Sequence, residues 1–520
     1  MRGTGVRGTG VIALARSLRH LWRLAWIAFV LARHDALFPL ERMGVVPGLT
    51  LVARLLRKPG QGRPGQRLAL ALQRLGPSFI KAGQTLSTRA DLMGEEVAAD
   101  LAGLRDRLPP FSGEIARATI AADLGRPVEL LFAAFDEVPI AAASIAQVHF
   151  ATTPEGDQVA VKVLRPGIEA AFARDLSLFA WLADLAERTL PASRRLKPRE
   201  VVATFAETVR LEMDLRFEAA AASELAENFA GDPGFRVPAV DWIRTGRRVL
   251  TTERVIGIPI SDRAALVAAG HDLEQVLANA AGAFFQQVFR DGFFHGDMHP
   301  GNCFVAADGA VVAVDFGIMG RLDLATREFL ADMLMGFLDG DYRKVADVHF
   351  RAGYVPATQS RDIFMQACRS IGEPIFGRPL AQISLAGLLG QLFAITEQFN
   401  MEAQPQLLLL QKTMLVAEGV GRGLNPDVNM WTLARPLIEE WMIEHRGPEA
   451  RIRRGLEQAV DAALRLPVLM DALATLAEQS RSGIRLHPDT LRGRGADRMA
   501  MLSLALALAA LAAALFALAR

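Results

Sequence analysis

Ten residues past the middle of the chain, FFHGDMHPGN (Phe293–Asn302), concentrate two histidines, an aspartate and an asparagine. Two chemistries fit them. His295, Asp297 and His299 alternate as metal ligands would on one face of a strand. Alternatively, Asp297 and Asn302 stand five residues apart. That is the spacing of a phosphoryl-transfer loop, in which the Asp orients or deprotonates an attacking hydroxyl and the Asn offers a neutral oxygen to Mg2+. Two other stretches favour the second chemistry. VAVDFGIMG sets Asp315-Phe316-Gly317 directly after an apolar strand, 18 residues beyond Asp297. A carboxylate there, followed by a flexible glycine, suits a metal ion held beside a nucleotide. VAVKVLRPG places Lys162 in an apolar strand, where an ammonium needs a counter-charge or a phosphate. Each stretch is modest alone; the order Lys, Glu, Asp, Asn, Asp is specific.

The acidic partner has two candidates in RLEMDLRFEAA, Glu212 and Glu218, with Asp214 between them. Leu211, Leu215 and Phe217 make this segment partly buried, so at least one acid should pair with a base. The glycine-rich phosphate loop is missing. PIAAASIAQVH stands in its place, with Ala141, Ala142, Ala143 and Ser144 where glycines would be. Their side chains hold the backbone at negative φ, so the phosphate grip should differ from that of an ordinary protein kinase. Gly296 occupies the position of the arginine that precedes the catalytic Asp in such kinases, and no Ala-Pro-Glu follows Asp315-Phe316-Gly317. Phosphate ordering of an activation loop and a peptide-docking platform are therefore not expected. Lys81, Gly83 and Gln84, in FIKAGQTLSTRADL, lie in a helical context before the strands, where spacing alone suggests an exposed face.

The elements that must position these residues divide the chain unevenly. Residues 1–66 read as a basic helical arm and linker, closing on RKPGQGRPGQ, and 67–138 as a helical extension broken at Pro109-Pro110. Residues 139–256 read as a small β-containing lobe. SIAQVHFATTPEGDQVAVKVL gives two strands around PEGD, and two more are expected at Val237–Ile243 and Arg248–Val255, after a long helical region ending near Phe229. Residues 257–480 read as a larger helical lobe carrying short apolar runs in NCFVAADGAVVAVDFG, and 481–520 as a basic linker and apolar tail.

The chain has 520 residues, 51% of them hydrophobic, and a net charge of +1. No global field recruits nucleic acid. Cys303 and Cys368, the only cysteines, exclude a disulfide framework and a CxxC zinc site. From Met499 to Ala519 the sequence is uncharged, with Ser503 its one polar residue, long enough for a spanning helix. Arg481, Arg485, Arg492 and Arg494 before it would, by the positive-inside rule, keep the main body cytoplasmic. Val11–Ala32 is apolar but carries Arg16, Arg19, His20 and Arg23, with Trp22, Trp26 and Phe29 nearby. A helix in the bilayer interface and an ordinary core helix fit it equally.

Together these stretches resemble the UbiB family of atypical kinase-like proteins of ubiquinone biosynthesis. The resemblance covers roughly Leu68–Leu437 and rests on KxGQ at Lys81–Gln84, AAAS at Ala141–Ser144, ExD at Glu212–Asp214, HGDxHPGN at His295–Asn302, DFG, and LLLQKTMLVAEGVGRGLNPDVN. It implies an α+β, bilobal protein-kinase-like fold with an added N-terminal helical extension and a C-terminal transmembrane helix. It also implies binding and hydrolysis of ATP with Mg2+, in support of membrane-bound quinone-synthesis enzymes, with isoprenoid quinone precursors or lipid as further partners. Asp297 and Lys162 would be catalytic, and Asn302 and Asp315 would hold the metal. Ala141–Ser144, Lys162, Glu218, Glu253 and Val255 would bind the nucleotide. Lys81 and Gln84 would cover the pocket and contact Glu212 and Asp214, and Glu218 would pair with Lys162. Ala221 departs from the family, which often has Asn there. Two alternatives stand beside this reading. One is a polyprenylphenol hydroxylase, the historical family name; the GxGxxG at Gly3, Gly5 and Gly8 does not support it, because no strand precedes it. The other is a nucleotide-switched scaffold for the pathway's enzymes.

Overall fold

The computed structural model describes residues 20–446, apart from 21, 39–61, 88–93, 103, 105–107, 190–197, 375–394, 396–397, 402–403 and 427–429. The described residues up to Trp441 form one compact unit. The expected spanning segment Met499–Ala519 lies outside the described residues. Among the described residues, no helix is long and apolar enough to cross a membrane.

The first layer is helical. A helix over residues 22–33 (α1) precedes α2 (Pro64–Leu75), α3 (Pro77–Ser87) and α4 (Glu95–Ala102). Ile27, Val30 and Leu31 of α1 share one core with Leu68 and Leu72 of α2, Phe79 and Ile80 of α3, and Leu101 of α4. Arg23 makes a two-pronged ion pair with buried Asp175. One face of α1 is thus core, and Trp22, Trp26 and Phe29 remain exposed on the other. Gly83 is required by close helix packing, since a Cβ there would stand 2.7 Å from Leu72 Cδ1 and 2.8 Å from Leu104 Cδ1.

Next come α5 (Gly113–Leu124), α6 (Val128–Leu131) and an antiparallel sheet of β1 (Ala134–Phe135), β2 (Ala141–Ala142), β3 (Ala146–Thr152), β4 (Gln158–Leu164) and β6 (Val249–Glu253). Alternation along β4 sends Val159, Val161 and Val163 into a core under α5 and α6. It turns Lys162 to the other face, between Val148 and Leu250 in register. The long helical stretch is three helices, α7 (Ile168–Thr189), α8 (Pro198–Glu212) and α9 (Leu215–Asn228). The strand expected at Val237–Ile243 is not formed. Pro238 has no N–H for a ladder, and the Asp241 carboxylate accepts from the Ile243 and Arg244 amides to cap a 3-10 turn at Trp242–Arg244. Only a single bridge, Val240 to Thr252, remains.

The second lobe holds β5 (Phe235–Arg236), β7 (Ile258–Pro259), β9 (Cys303–Val305) and β10 (Val311–Ala313), in the order β5-β10-β9-β7. The helix α11 (Leu273–Phe285) follows α10 (Arg263–Ala268) and ends in a π-helical turn, Gln286–Asp291, that leads into β8 (Phe293–His295). A ribbon pairs β8 with β11 (Met319–Arg321). Then come α12 (Leu324–Leu338), α13 (Tyr342–Arg351), α14 (Arg361–Gly372), α15 (Pro405–Leu424) and α16 (Met430–Arg446). α9 is shared between lobes: Leu215 and Ala219 lie in the upper core, and Ala222, Leu225 and Phe229 in the lower.

Candidate active site

Strand β4 and helix α9 meet at Lys162. Its Nζ donates to Glu218 Oε1 at 2.7 Å and to Asp315 Oδ1 at 2.9 Å. Of the two candidate glutamates, Glu218 is therefore the partner. It sits in the first turn of α9, and Asp214 is that helix's N-cap, accepting from the Arg216 amide and pairing with the Arg216 guanidinium. Burial works against the Lys162 charge, but Asp315 and Glu218 outweigh it and raise the ammonium above its ordinary value. The two carboxylates divide unequally around one cation. The Lys162 charge holds Asp315 well below the usual carboxylate range, whereas burial, against the pull of Lys162, pushes Glu218 up to about 7. Half of the Asp315 side chain is exposed, while Glu218 is enclosed. Asp315 adopts φ +64°, a left-handed conformation uncommon for a residue with a side chain.

FFHGDMHPGN is β8 and its connection to β9, and its histidines bond to backbone. Buried His295 accepts from the Asp297 amide at Nδ1, 3.0 Å away, and Nε2–H donates to the Val314 carbonyl at 3.3 Å. Burial lowers its pKa and keeps the ring neutral. His299 Nδ1 accepts from the Gly301 amide and caps a 3-10 turn, Pro300–Asn302. His295 spends both ring nitrogens on backbone and His299 spends Nδ1 on the turn, so the alternating metal triad is not what this stretch builds. The Asn302 amide nitrogen donates to the Asp297 carbonyl at 3.1 Å, which turns its oxygen the other way. That oxygen and the Asp315 carboxylate are hard donors suited to Mg2+ once phosphates complete the shell. Among the described residues no group of three or more His, Cys, Asp or Glu side chains forms a metal cage.

The KxGQ segment is α3, and its lysine is not on an exposed face. Lys81 Nζ lies 2.8 Å from Glu212 Oε2, both side chains largely buried, and its charge reaches Asp315. Asp214, expected beside Glu212 as a contact of Lys81 and Gln84, is instead spent on the α9 cap. Gln84 is half-buried, with no side-chain hydrogen bond among the described residues.

The alanine-rich segment forms a tight hairpin. Ala141 and Ala142 pair with Val148 and Gln147, and the Ala143 amide donates to the Ala146 carbonyl at 2.8 Å. No residue of Ala141–Ser144 has positive φ. Arg165 fastens the hairpin to the helical extension, its guanidinium donating to the carbonyls of Ala143, Pro109 and Leu108. Glu253 ends β6, and Val255 lies in the link from that strand to β7, where the chain passes between lobes.

Two residues escaped the sequence reading. Arg165 is one. The other is Lys412 of α15, whose Nζ stands 3.0 Å from Asp297 Oδ1. The chain has six lysines among 58 basic residues, and three of them, Lys81, Lys162 and Lys412, meet carboxylates of the motif set. That scarcity was the available signal.

Two family models match the chain: an ABC1 atypical kinase-like domain over residues 103–349 and a UbiB helical domain over 368–429. The chain is 46% identical over 443 residues to a probable protein kinase UbiB of Marinobacter nauticus, covering 84% of this chain and 81% of that protein. It is 44% identical over 441 residues to the namesake of Azotobacter vinelandii, covering 84% and 82%. A solved structure of Rv3197 from Mycobacterium tuberculosis, in complex with erythromycin, aligns with TM-score 0.51 at 24% identity, over 71% of this chain and 93% of that one. That likeness supports the kinase-like fold alone. With the motif geometry and these matches together, the chain belongs to the UbiB family of atypical kinase-like proteins.

Proposed function

We propose that the protein is a membrane-associated, Mg2+-dependent ATPase or small-molecule kinase that supports ubiquinone biosynthesis from the cytoplasmic face of the inner membrane. The observation that carries this reading is Lys162, held by Glu218 and Asp315, with Asp297 and Asn302 on one loop of the same cleft. Lys162 would bind the phosphates, with Ala141–Ser144 above them and Glu253 and Val255 along the interlobe link. Asn302 and Asp315 would hold Mg2+, which supplies charge neutralisation on the phosphates. Asp297 would orient the attacking water or hydroxyl. The Lys81–Glu212 pair supports a small acceptor: the charge of Lys81 reaches Asp315, and the family resemblance would put α3 over the site where a peptide docks.

The test is hydrolysis of Mg-ATP by the purified protein, with and without liposomes and phenolic quinone precursors, followed by quinone content in a deletion strain complemented with each variant. Asp315→Asn is expected to lower turnover by about 100-fold or more, as loss of a phosphate-metal ligand does, and to fail in complementation. Full activity in Asp315→Asn would sink the reading. Bound flavin or iron in the purified protein would point to the hydroxylase alternative. Normal quinone levels in an Asp297→Asn, Asp315→Asn double variant would point to the scaffold.

A further inference from the structure

We infer that Lys412 is a positioning residue for Asp297, and that α15 of the helical domain completes the catalytic loop from outside the kinase-like domain. This rests on the phosphoryl-transfer reading above. Three contacts carry it. The Lys412 ammonium lies 3.0 Å from Asp297 Oδ1. One helical turn earlier, Leu409 comes so close to the loop backbone that a Cβ on Gly296 would stand 2.9 Å from both of its methyl carbons. On the other side, the Gly296 amide donates to the Ile318 carbonyl at 2.8 Å, which ties the loop to the start of β11. The loop is thus gripped between β11 and α15, and Gly296 permits the grip. The arginine that other kinase-like loops carry at this position could not occupy the space that Leu409 fills.

The backbone of Asp297 is fixed independently of Lys412. Its N–H is held by His295 and its carbonyl by the Asn302 side chain. Its carboxylate is not fixed by these bonds, because two single-bond rotations separate it from the backbone. Among the described residues, Lys412 alone makes a hydrogen bond to it, through Oδ1. Tethering one oxygen leaves Oδ2 to face the nucleophile's proton, which is the orientation a phosphoryl-transfer loop needs. Asp297 and Lys412 are 28% and 35% exposed, so as a plain ion pair they contribute little to folding. The lysine and the leucine lie three positions apart on one face of α15, and the Thr413 hydroxyl, fully buried, donates back to the Leu409 carbonyl.

The experiment compares full-length wild type with Lys412→Met, Lys412→Arg, Asp297→Asn and the Asp297→Asn, Lys412→Met double variant. It measures steady-state Mg-ATP hydrolysis, affinity for a fluorescent ATP analogue, and Tm. Lys412→Met is expected to lose about 10- to 100-fold in kcat, the scale of a misplaced catalytic group. Its KM, nucleotide affinity and Tm should stay within about 2-fold and ~2 °C of wild type, as a half-buried, solvent-screened pair dictates. Lys412→Arg should recover part of the loss, and Lys412→Met should add nothing to Asp297→Asn. Unchanged kcat in Lys412→Met, or a loss confined to nucleotide affinity, overturns the inference while active wild type and inactive Asp315→Asn leave the proposed function standing. No turnover in wild type overturns both.

Discussion

The alanine hairpin of the upper lobe and the His295–Asn302 loop of the lower lobe depart from the ordinary kinase pattern in opposite directions. The upper loop has replaced glycines with Ala141, Ala142 and Ala143. The lower loop has replaced an arginine with Gly296. Each change matches an added element. Above, Arg165 fastens the alanine hairpin to the carbonyls of Leu108 and Pro109 in the helical extension. Below, Leu409 of α15 lies on the glycine. In both places a mobile or switchable part has become a packed one. The helical extension and α15 thus brace the two loops from outside.

The comparison breaks most sharply at Gly296. Gly296→Ala should cost about 1–3 kcal/mol through overpacking against Leu409 and Ile318, visible as a lowered Tm together with reduced ATP turnover. Adding Leu409→Ala relieves one of the two contacts and Ile318→Ala the other; if neither second change recovers any of the Tm lost by Gly296→Ala, the steric account of the glycine is wrong. The upper loop should respond more mildly. Arg165→Met frees the hairpin without a clash, so a several-fold weaker nucleotide affinity is expected, from a lost pre-organisation of about 1 kcal/mol, measured by titration with a fluorescent ATP analogue. Unchanged affinity would mean that the hairpin holds its own shape.

The smallest effect lies between the loops, at Glu218. Its pKa is raised to about 7 in the folded chain, so the folded state binds this proton more tightly than the unfolded state. Stability from this group therefore falls as pH rises from the ordinary carboxylate range toward 7 and is level above that. Glu218→Gln removes the titration. Its Tm relative to wild type, without nucleotide, should climb between pH 5 and pH 8. A difference that stays flat across that range would refute the assignment.

What the sequence disclosed follows from how local each constraint is. Lys162, Asp297, Asn302 and Asp315 were legible because period-2 burial and short spacings determine them within a few residues. The choice between Glu212 and Glu218 was not, because both lie near one helix junction and only the cap at Asp214 fixes the phase of α9. The false strand at Val237–Ile243 came from apolar composition, which the Asp241 turn overrode. Lys412 was read past because its partner lies 115 positions away and nothing beside it marks its role. Gly296 was noticed, but as the loss of a regulatory arginine; the leucine that requires it is 113 residues further on.

One consequence of α9 remains. Its first half is rooted in the upper core and its second half in the lower, with Glu218 on the upper side of the join. A kinase that is turned off by swinging this helix outward needs the helix to belong to one lobe only. Here an outward swing would tear Ala222, Leu225 and Phe229 from the lower core. The helix is a splice rather than a lever, and the Lys162–Glu218 pair cannot be broken by an outward swing that leaves the lower core intact.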